Sequence, residues 1–389
     1  RGPVYLSLPR EVLAEPWPQL QISASATITP ASPAYPDPVA VSAVAKTLAA
    51  AERPLIIAGR SDAAAFPALA AFAERTAIPV AHFWPGRLAV PTNHAFHAGF
   101  DLTPWIERAD VIVALDMMVP WLPKRHTLAK SAQVIHIGPD PAFAKVPMRS
   151  FPGNIVLRAN VAAALASLGE AMGNASAERR RAVLVELEED RRQRVKRLGR
   201  QQTDGLTNAS ISRMIDAHKG DDAVVFGELG CDPAVMTFTH ADGYFGHPIA
   251  GGLGWGLPAA LGAKLAVPDR LVIASIGDGS YMFANPVACH QTAAALGLAV
   301  LTVVFNNEMW NAVRRSTLAL YPDGHAAAAN EMPLSSLAPS PDYEKVVQAC
   351  GGWGVRVEAP AELERAIVKA IRMVRQQKRQ ALINVRCAI

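Results

Sequence analysis

The sequence predicts an α/β protein with two doubly wound parallel-sheet domains. Short continuous apolar runs, such as Leu55-Ile56-Ile57-Ala58 and Val300 to Phe305, recur along the chain. A strand reads this way when both of its faces are buried, as in a parallel sheet covered by helices. Between the runs lie helical stripes with apolar residues three and four apart. Glycines gather where the runs end, above all in Ile276-Gly277-Asp278-Gly279, as they do where backbone must come close to a ligand.

With 389 residues, 50% of them hydrophobic, the chain is long enough for two or three domains with buried sheets. No apolar run approaches the roughly 20 residues of a membrane-spanning helix, so no membrane is expected. A formal charge of +4 is small for this length, and the basic residues form no tract interleaved with aromatics, so no nucleic acid is expected. Cys231, Cys289, Cys350 and Cys387 show no paired spacing for zinc or a redox dithiol. That usage fits a reducing, cytoplasmic location.

The elements follow in order. Gly2 to Leu8, closed by Pro9, reads as a strand, and residues 1–15 as the last strand of a preceding domain that the chain otherwise lacks. Residues 16–36, rich in Pro, Ser, Ala and Thr, read as a linker. Val41, Val44 and Leu48 then mark a helix, Leu55 to Gly59 a strand, and Phe66, Leu69 and Phe72 a second helix. Further strands at Ile78–Ala81, Asp110–Leu115 and Gln133–Ile137 complete a central Rossmann-like domain over 37–172. Residues 173–202 hold opposite charges three and four apart, which predicts an exposed connecting helix. From 203 to 389 a second α/β domain is expected, opened by a helix capped by Thr207 and with strands at Ala223–Phe226, Leu271–Ile276, Val300–Phe305 and Ala381–Val385.

The chemistry is expected at the strand ends of this second domain. In open α/β sheets ligands bind beyond the carboxyl ends of the strands. Gly277-Asp278-Gly279-Ser280 puts a carboxylate between two glycines at one such end. After a crossover helix expected over Ala284–Leu296, the next strand ends in Asn306-Asn307-Glu308-Met309-Trp310. A carboxylate and an amide oxygen from neighbouring strand tips make two hard oxygen ligands of the kind Mg²⁺ takes beside a diphosphate.

This Gly-Asp-Gly-Ser, crossover, Asn-Asn order resembles the cofactor motif of thiamine-diphosphate-dependent enzymes such as acetolactate synthases, pyruvate oxidases and benzoylformate decarboxylases. The resemblance implies that Asp278, Asn307 and the main-chain carbonyl of Met309 bind Mg²⁺, while Gly279 and Ser280 offer donors to the diphosphate. It also takes in the glycine-rich block from Ala250 to Lys264. There Leu253 would prop the cofactor in its bent form, and the carbonyl of Gly251 would accept a hydrogen bond from its amino group. In Phe226-Gly227-Glu228-Leu229-Gly230-Cys231, Gly230 and Cys231 would form the other wall of the diphosphate pocket. Cys231 has no histidine partner nearby in sequence that would make it a nucleophile.

The family's activating glutamate lies in a pyrimidine-binding domain, so the resemblance assigns no catalytic glutamate here and implies that this chain alone is inactive. Where FAD-binding acetolactate synthases carry an arginine and acidic residues, this chain has Leu115-Asp116-Met117-Met118-Val119-Pro120-Trp121, which argues against FAD. Trp310 and Val313 are the candidates for the substrate pocket, with packing of their helix on the sheet as the other reading. The activity implied is decarboxylation of a 2-oxo acid with carboligation, as in acetolactate synthases. The alternatives are simple decarboxylation, as in benzoylformate decarboxylases, and a non-catalytic or half-site diphosphate-binding subunit. A homodimer or tetramer is implied, since the family's cofactor sits between two subunits.

Overall fold

The computed structural model describes residues 5–17, 29, 31–60, 62–173, 177–200 (side chains to 194), 205–329, 332 and 334–388. Two units are distinguished, 1–33 and 34–389. In the first, residues 5–9 form no strand, contrary to the expectation for 2–9, and residues 1–4 lie outside the described residues. Strand hydrogen bonds are made between strands, and residues 5–9 enter no ladder. Instead Pro9 opens a short helix, Arg10–Ala14, whose first turn is closed by Leu13 N–H on Pro9 O at 3.1 Å. Residues 18–28 and 30 of the expected linker also lie outside the described residues.

The second unit holds two all-parallel sheets. In the first, β1 (Pro54–Ala58), β2 (Val80–His82), β3 (Val111–Leu115), β4 (Gln133–Gly138) and β5 (Ile155–Arg158) lie in the order β2-β1-β3-β4-β5. β1 and β3 are buried along their whole length, as their unbroken apolar sequences require. Helices Pro38–Ala50, Ala65–Thr76 and Val161–Met172 pack beside the sheet and against one another. Asp37 caps the first through Ala40 N–H at 2.9 Å, and Asn160 caps the third through Ala163 N–H at 3.0 Å.

The second sheet contains β6 (Val224–Glu228), β7 (Tyr244–Gly246), β8 (Val272–Gly277), β9 (Leu301–Asn306), β10 (Trp353–Val357) and β11 (Ala381–Arg386), ordered β10-β11-β9-β8-β6-β7. Its first helix, Asn208–Lys219, starts at a capping box in which Thr207 and Ser210 satisfy each other's backbone N–H. The crossover after β8 differs from expectation. Gly277-Asp278 starts a short helix, Asp278–Phe283, and a second, Pro286–Ala295, follows a left-handed Asn285.

The connecting segment also differs. It forms two helices, Ala177–Arg180 and Val183–Arg200, and it is only partly exposed. Arg180 is buried and donates to the carbonyls of Leu48 and Ala51, while Arg191 donates to the carbonyls of His94 and Ala95. Carbonyls left over at helix and loop ends attract guanidinium groups in a way that local charge spacing does not reveal. Thr92 joins the two sheets: its N–H reaches Phe238 O at 2.9 Å and its hydroxyl accepts Phe238 N–H at 2.9 Å. No helix among the described residues is long and apolar enough to cross a membrane.

Candidate functional site

Beyond the carboxyl ends of β6, β8 and β9, which are contiguous in the sheet, opens a cleft of about 730 Å³. Ten of the eleven residues singled out from the sequence line it: Gly230, Cys231, Leu253, Asp278, Gly279, Ser280, Asn307, Met309, Trp310 and Val313. Gly251 does not. It sits apart in an exposed loop at φ +70°, a conformation that favours glycine.

Asp278 is the first residue of its helix and 2% exposed. One carboxylate oxygen, Oδ1, accepts the N–H of Gly279 at 3.0 Å, while Oδ2 is buried without a partner. Burial pushes its pKa up to about 6, against the opposing pull of the backbone N–H groups of Gly279, Glu308 and Met309. The Ser280 hydroxyl, two residues on, is likewise buried; it lies near the Glu228 carboxylate but makes no hydrogen bond of ordinary geometry. Buried polar atoms nearly always find partners, so two orphans facing one cleft mark a place where a ligand completes the structure.

The turn after β9 is held from several sides. Asn306 points inward and donates to Asn384 Oδ1 at 3.0 Å and Ser340 Oγ at 2.8 Å, while Asn384 in turn donates to Glu344 at 2.8 Å. The Oδ1 of Asn306 accepts Glu308 N–H at 3.2 Å. Glu308 adopts a left-handed φ of +54° and pairs with Arg386. So fixed, the turn presents Asn307, whose Oδ1 accepts Met309 N–H at 3.0 Å and keeps a second lone pair. The Met309 carbonyl, which accepts Asn311 N–H at 2.8 Å, also keeps one.

Two glycines are demanded by contact. A Cβ on Gly279 would lie 2.2 Å from Trp310 Cζ3, because the indole rests on that backbone. Trp310 also packs on Phe283, with ring centroids 5.3 Å apart. A Cβ on Gly230 would meet the Ser275 backbone at 2.5 Å. The next N–H, that of Cys231, is committed to Ser275 Oγ at 2.8 Å, so Cys231 serves the cleft as wall. Burial pushes its thiol up to about 12, which keeps it neutral and removes it as a nucleophile. Val313 is exposed on the rim.

Sequence reasoning passed over Glu228. This last residue of β6 is fully buried, and its carboxylate accepts Gly254 N–H at 2.5 Å and Gly256 N–H at 2.6 Å. It thereby clamps the glycine block that carries Leu253. A carboxylate ending an otherwise apolar strand was the available signal. Asn311, whose buried Oδ1 is also unpartnered, is a second omission.

The donor set suits a hard divalent cation beside a phosphate. One unmet carboxylate oxygen, an amide oxygen and a main-chain carbonyl are oxygen ligands of the type Mg²⁺ accepts, with water and phosphate expected to fill the remaining positions. Among the described residues no group of three or more His, Cys, Asp or Glu could hold a metal, which excludes a zinc-like cluster there but not this oxygen set.

Comparison with known proteins converges on the same elements. Residues 229–385 match the C-terminal TPP-binding domain of thiamine pyrophosphate enzymes, and residues 41–171 match the central domain of those enzymes. A protein of Pseudomonas aeruginosa named "Probable 2-ketoarginine decarboxylase" is 28% identical over 93% of this chain and 63% of its own length. The sulfoacetaldehyde acetyltransferase of Roseovarius nubinhibens is 28% identical over 86% of this chain and 60% of its own. The acetolactate synthase large subunit of Parasynechococcus marenigrum is 26% identical, covering 95% and 61%. The chain thus spans about three fifths of the length of these curated relatives. In fold it resembles the benzoylformate decarboxylase of Polynucleobacter necessarius, with a TM-score of 0.73 and 21% identity over 95% of this chain and 68% of that one. With both domain models matched in order over two parallel sheets, the chain belongs to the thiamine-pyrophosphate-dependent enzymes.

Proposed function

We propose that this chain forms the diphosphate-binding and central portions of a Mg²⁺- and thiamine-diphosphate-dependent enzyme that decarboxylates a 2-oxo acid and joins the remaining fragment to a second carbonyl. The observation that carries this reading is the unpartnered, buried Oδ2 of Asp278 in the same cleft as Asn307 and Met309. Asp278, Asn307 and the Met309 carbonyl hold the metal. Ser280 donates its free hydroxyl to a phosphate oxygen, and the missing side chain of Gly279 leaves room for Trp310. When bound, the cofactor supplies the electron sink that lets carboxylate leave as CO₂.

Leu253 keeps its place in the cleft because Glu228 fixes the backbone on its far side. Trp310 and Val313 border the space left for substrate and exclude water from part of it. Among the described residues no glutamate lines the cleft, and this reading takes the activating glutamate from a pyrimidine-binding segment of a second subunit. Met282 and Phe283, at 42% and 62% exposure on the helix that begins with Asp278, offer the apolar contact such a homo-oligomer needs.

Carboligation is favoured over simple decarboxylation by the names of two of the three relatives above, a synthase and an acetyltransferase. The deciding test gives the assembled enzyme Mg²⁺, thiamine diphosphate and a panel of 2-oxo acids, and reads CO₂ together with the carbon product. A coupled product such as acetolactate is expected. Release of the free aldehyde alone would replace the proposal with a decarboxylase, and absence of CO₂ from every substrate would leave a diphosphate-binding subunit without turnover.

A further inference from the structure

A second cavity, of about 320 Å³, lies at the opposite end of the first sheet. It is bordered by the residues that lead into β1 and β2, by Trp105 and Arg108, and by the connecting helices Ala177–Arg180 and Val183–Arg200. Part of its wall is apolar, formed by Leu55, Ala77, Pro79 and Val183. Its ionisable lining is four arginines, Arg53, Arg108, Arg179 and Arg180, against two carboxylates, Glu52 and Glu186.

The arginines are held in place. Arg180, 4% exposed, is tied to the Ala51 carbonyl at 2.8 and 3.0 Å. Arg108 pairs with Glu186 at 2.6 Å, and its guanidinium carbon stands 4.8 Å from the centre of the Trp105 ring. Arg53 reaches the same Glu186 oxygen at 3.6 Å. Trp105 is 5% exposed, and its indole N–H has no partner. A buried donor of this kind is rare unless something accepts from it. The lining therefore carries four positive charges against two negative ones, and beside the Arg108–Glu186 pair the indole N–H is a donor without an acceptor.

We infer that this cavity binds a small organic carboxylate with a compact apolar body, its carboxylate facing Arg108 and Trp105 and its body against Leu55, Pro79 and Val183. Guanidinium groups recognise carboxylates through charge-assisted hydrogen bonds, and the volume is at the lower end of small-molecule sites. Such a ligand would tie the connecting helix to the first sheet, far from the cleft at the ends of β6, β8 and β9.

The test is calorimetric titration of the chain with benzoate, and with benzyl alcohol as the uncharged counterpart. The background is Asp278→Ala, which removes the metal-binding carboxylate from the other cleft, and binding there is told apart by its indifference to the two variants below. Benzoate is expected to bind and benzyl alcohol not to. Arg108→Gln should weaken benzoate by about tenfold or more, and Trp105→Phe, which keeps a ring and removes only the N–H, by about threefold to tenfold. In ¹⁵N spectra the indole signal lost in Trp105→Phe should move when benzoate is added to the parent. Absence of benzoate binding up to millimolar concentration, or unchanged affinity in both variants, would overturn the inference.

Discussion

The two sheets share a plan and differ in how their buried polar groups are met near the carboxyl ends of the strands. In the first sheet, His82 at the end of β2 and His97 nearby form a closed chain. His97 Nδ1 lies 2.9 Å from Thr92 O and so carries the proton, which leaves Nε2 to accept from His82 Nδ1 at 2.9 Å. His82 Nε2 then accepts Ala89 N–H at 2.9 Å. Every ring nitrogen is used while both rings stay neutral. In the second sheet, the strand ends bring together Asp278, Ser280 and Asn311, each with a buried oxygen that has no partner. The same architecture is finished as structure in one place and left open for a ligand in the other.

Removing packing from the first sheet should affect stability and spare the cleft. Ile57, fully buried in β1, should cost about 2–5 kcal/mol as Ile57→Ala, read by urea unfolding. Cofactor affinity, measured where the protein is folded, should stay within about threefold. A parallel loss of affinity would mean that the two sheets do not act separately.

Next in size is Glu228→Gln. It keeps the shape but takes the charge from the carboxylate that holds Gly254 and Gly256, and it turns one acceptor into a donor facing an N–H. A loss of about 1–3 kcal/mol is expected, together with weaker cofactor binding because Leu253 is no longer fixed. Unchanged binding would reduce Glu228 to a structural clamp.

A third test, by pH instead of by packing, concerns the histidine pair. Burial is the largest cause that lowers His97 to about 3, with the nearby guanidinium groups of Arg194 and Arg191 adding to it and the bond to Thr92 opposing. Burial and His97 hold His82 well below its ordinary value. Unfolded histidine takes its proton near 6.5. Between those values the unfolded chain binds more protons, so this contribution is present in full above about 6.5 and is lost as pH falls toward 3. The melting temperature should drop from pH 7 to pH 4, and His97→Gln should flatten that drop. Equal slopes would show that the pair does not contribute.

Much of this was legible in the chain because its signals are local. β1, β3, β8 and β9 are buried on both faces, so they appear as uninterrupted apolar runs, and Gly277-Asp278-Gly279-Ser280 and Asn306-Asn307 stand at the ends of two of them. The strands that escaped notice, β5, β7 and β10, all lie at sheet edges. β5 and β10 are only partly buried, and β7 has three residues. Their periodicity is therefore short or mixed. Glu228 was missed because its partners come 26 and 28 residues later. The half-buried character of the connecting helix was missed because Arg180 and Arg191 bond to carbonyls about a hundred or more residues away. Contacts of that range are set by the fold, and local spacing carries no trace of them.

The most direct measurement is calorimetric titration of thiamine diphosphate, with and without Mg²⁺, into the chain and into Asp278→Ala. The parent chain is predicted to bind in a Mg²⁺-dependent manner, and the variant to lose at least about a hundredfold in that affinity while melting at no lower temperature than the parent, since it sheds a buried carboxylate with an unmet oxygen. Equal, metal-independent binding by both proteins would contradict the assignment of the cleft.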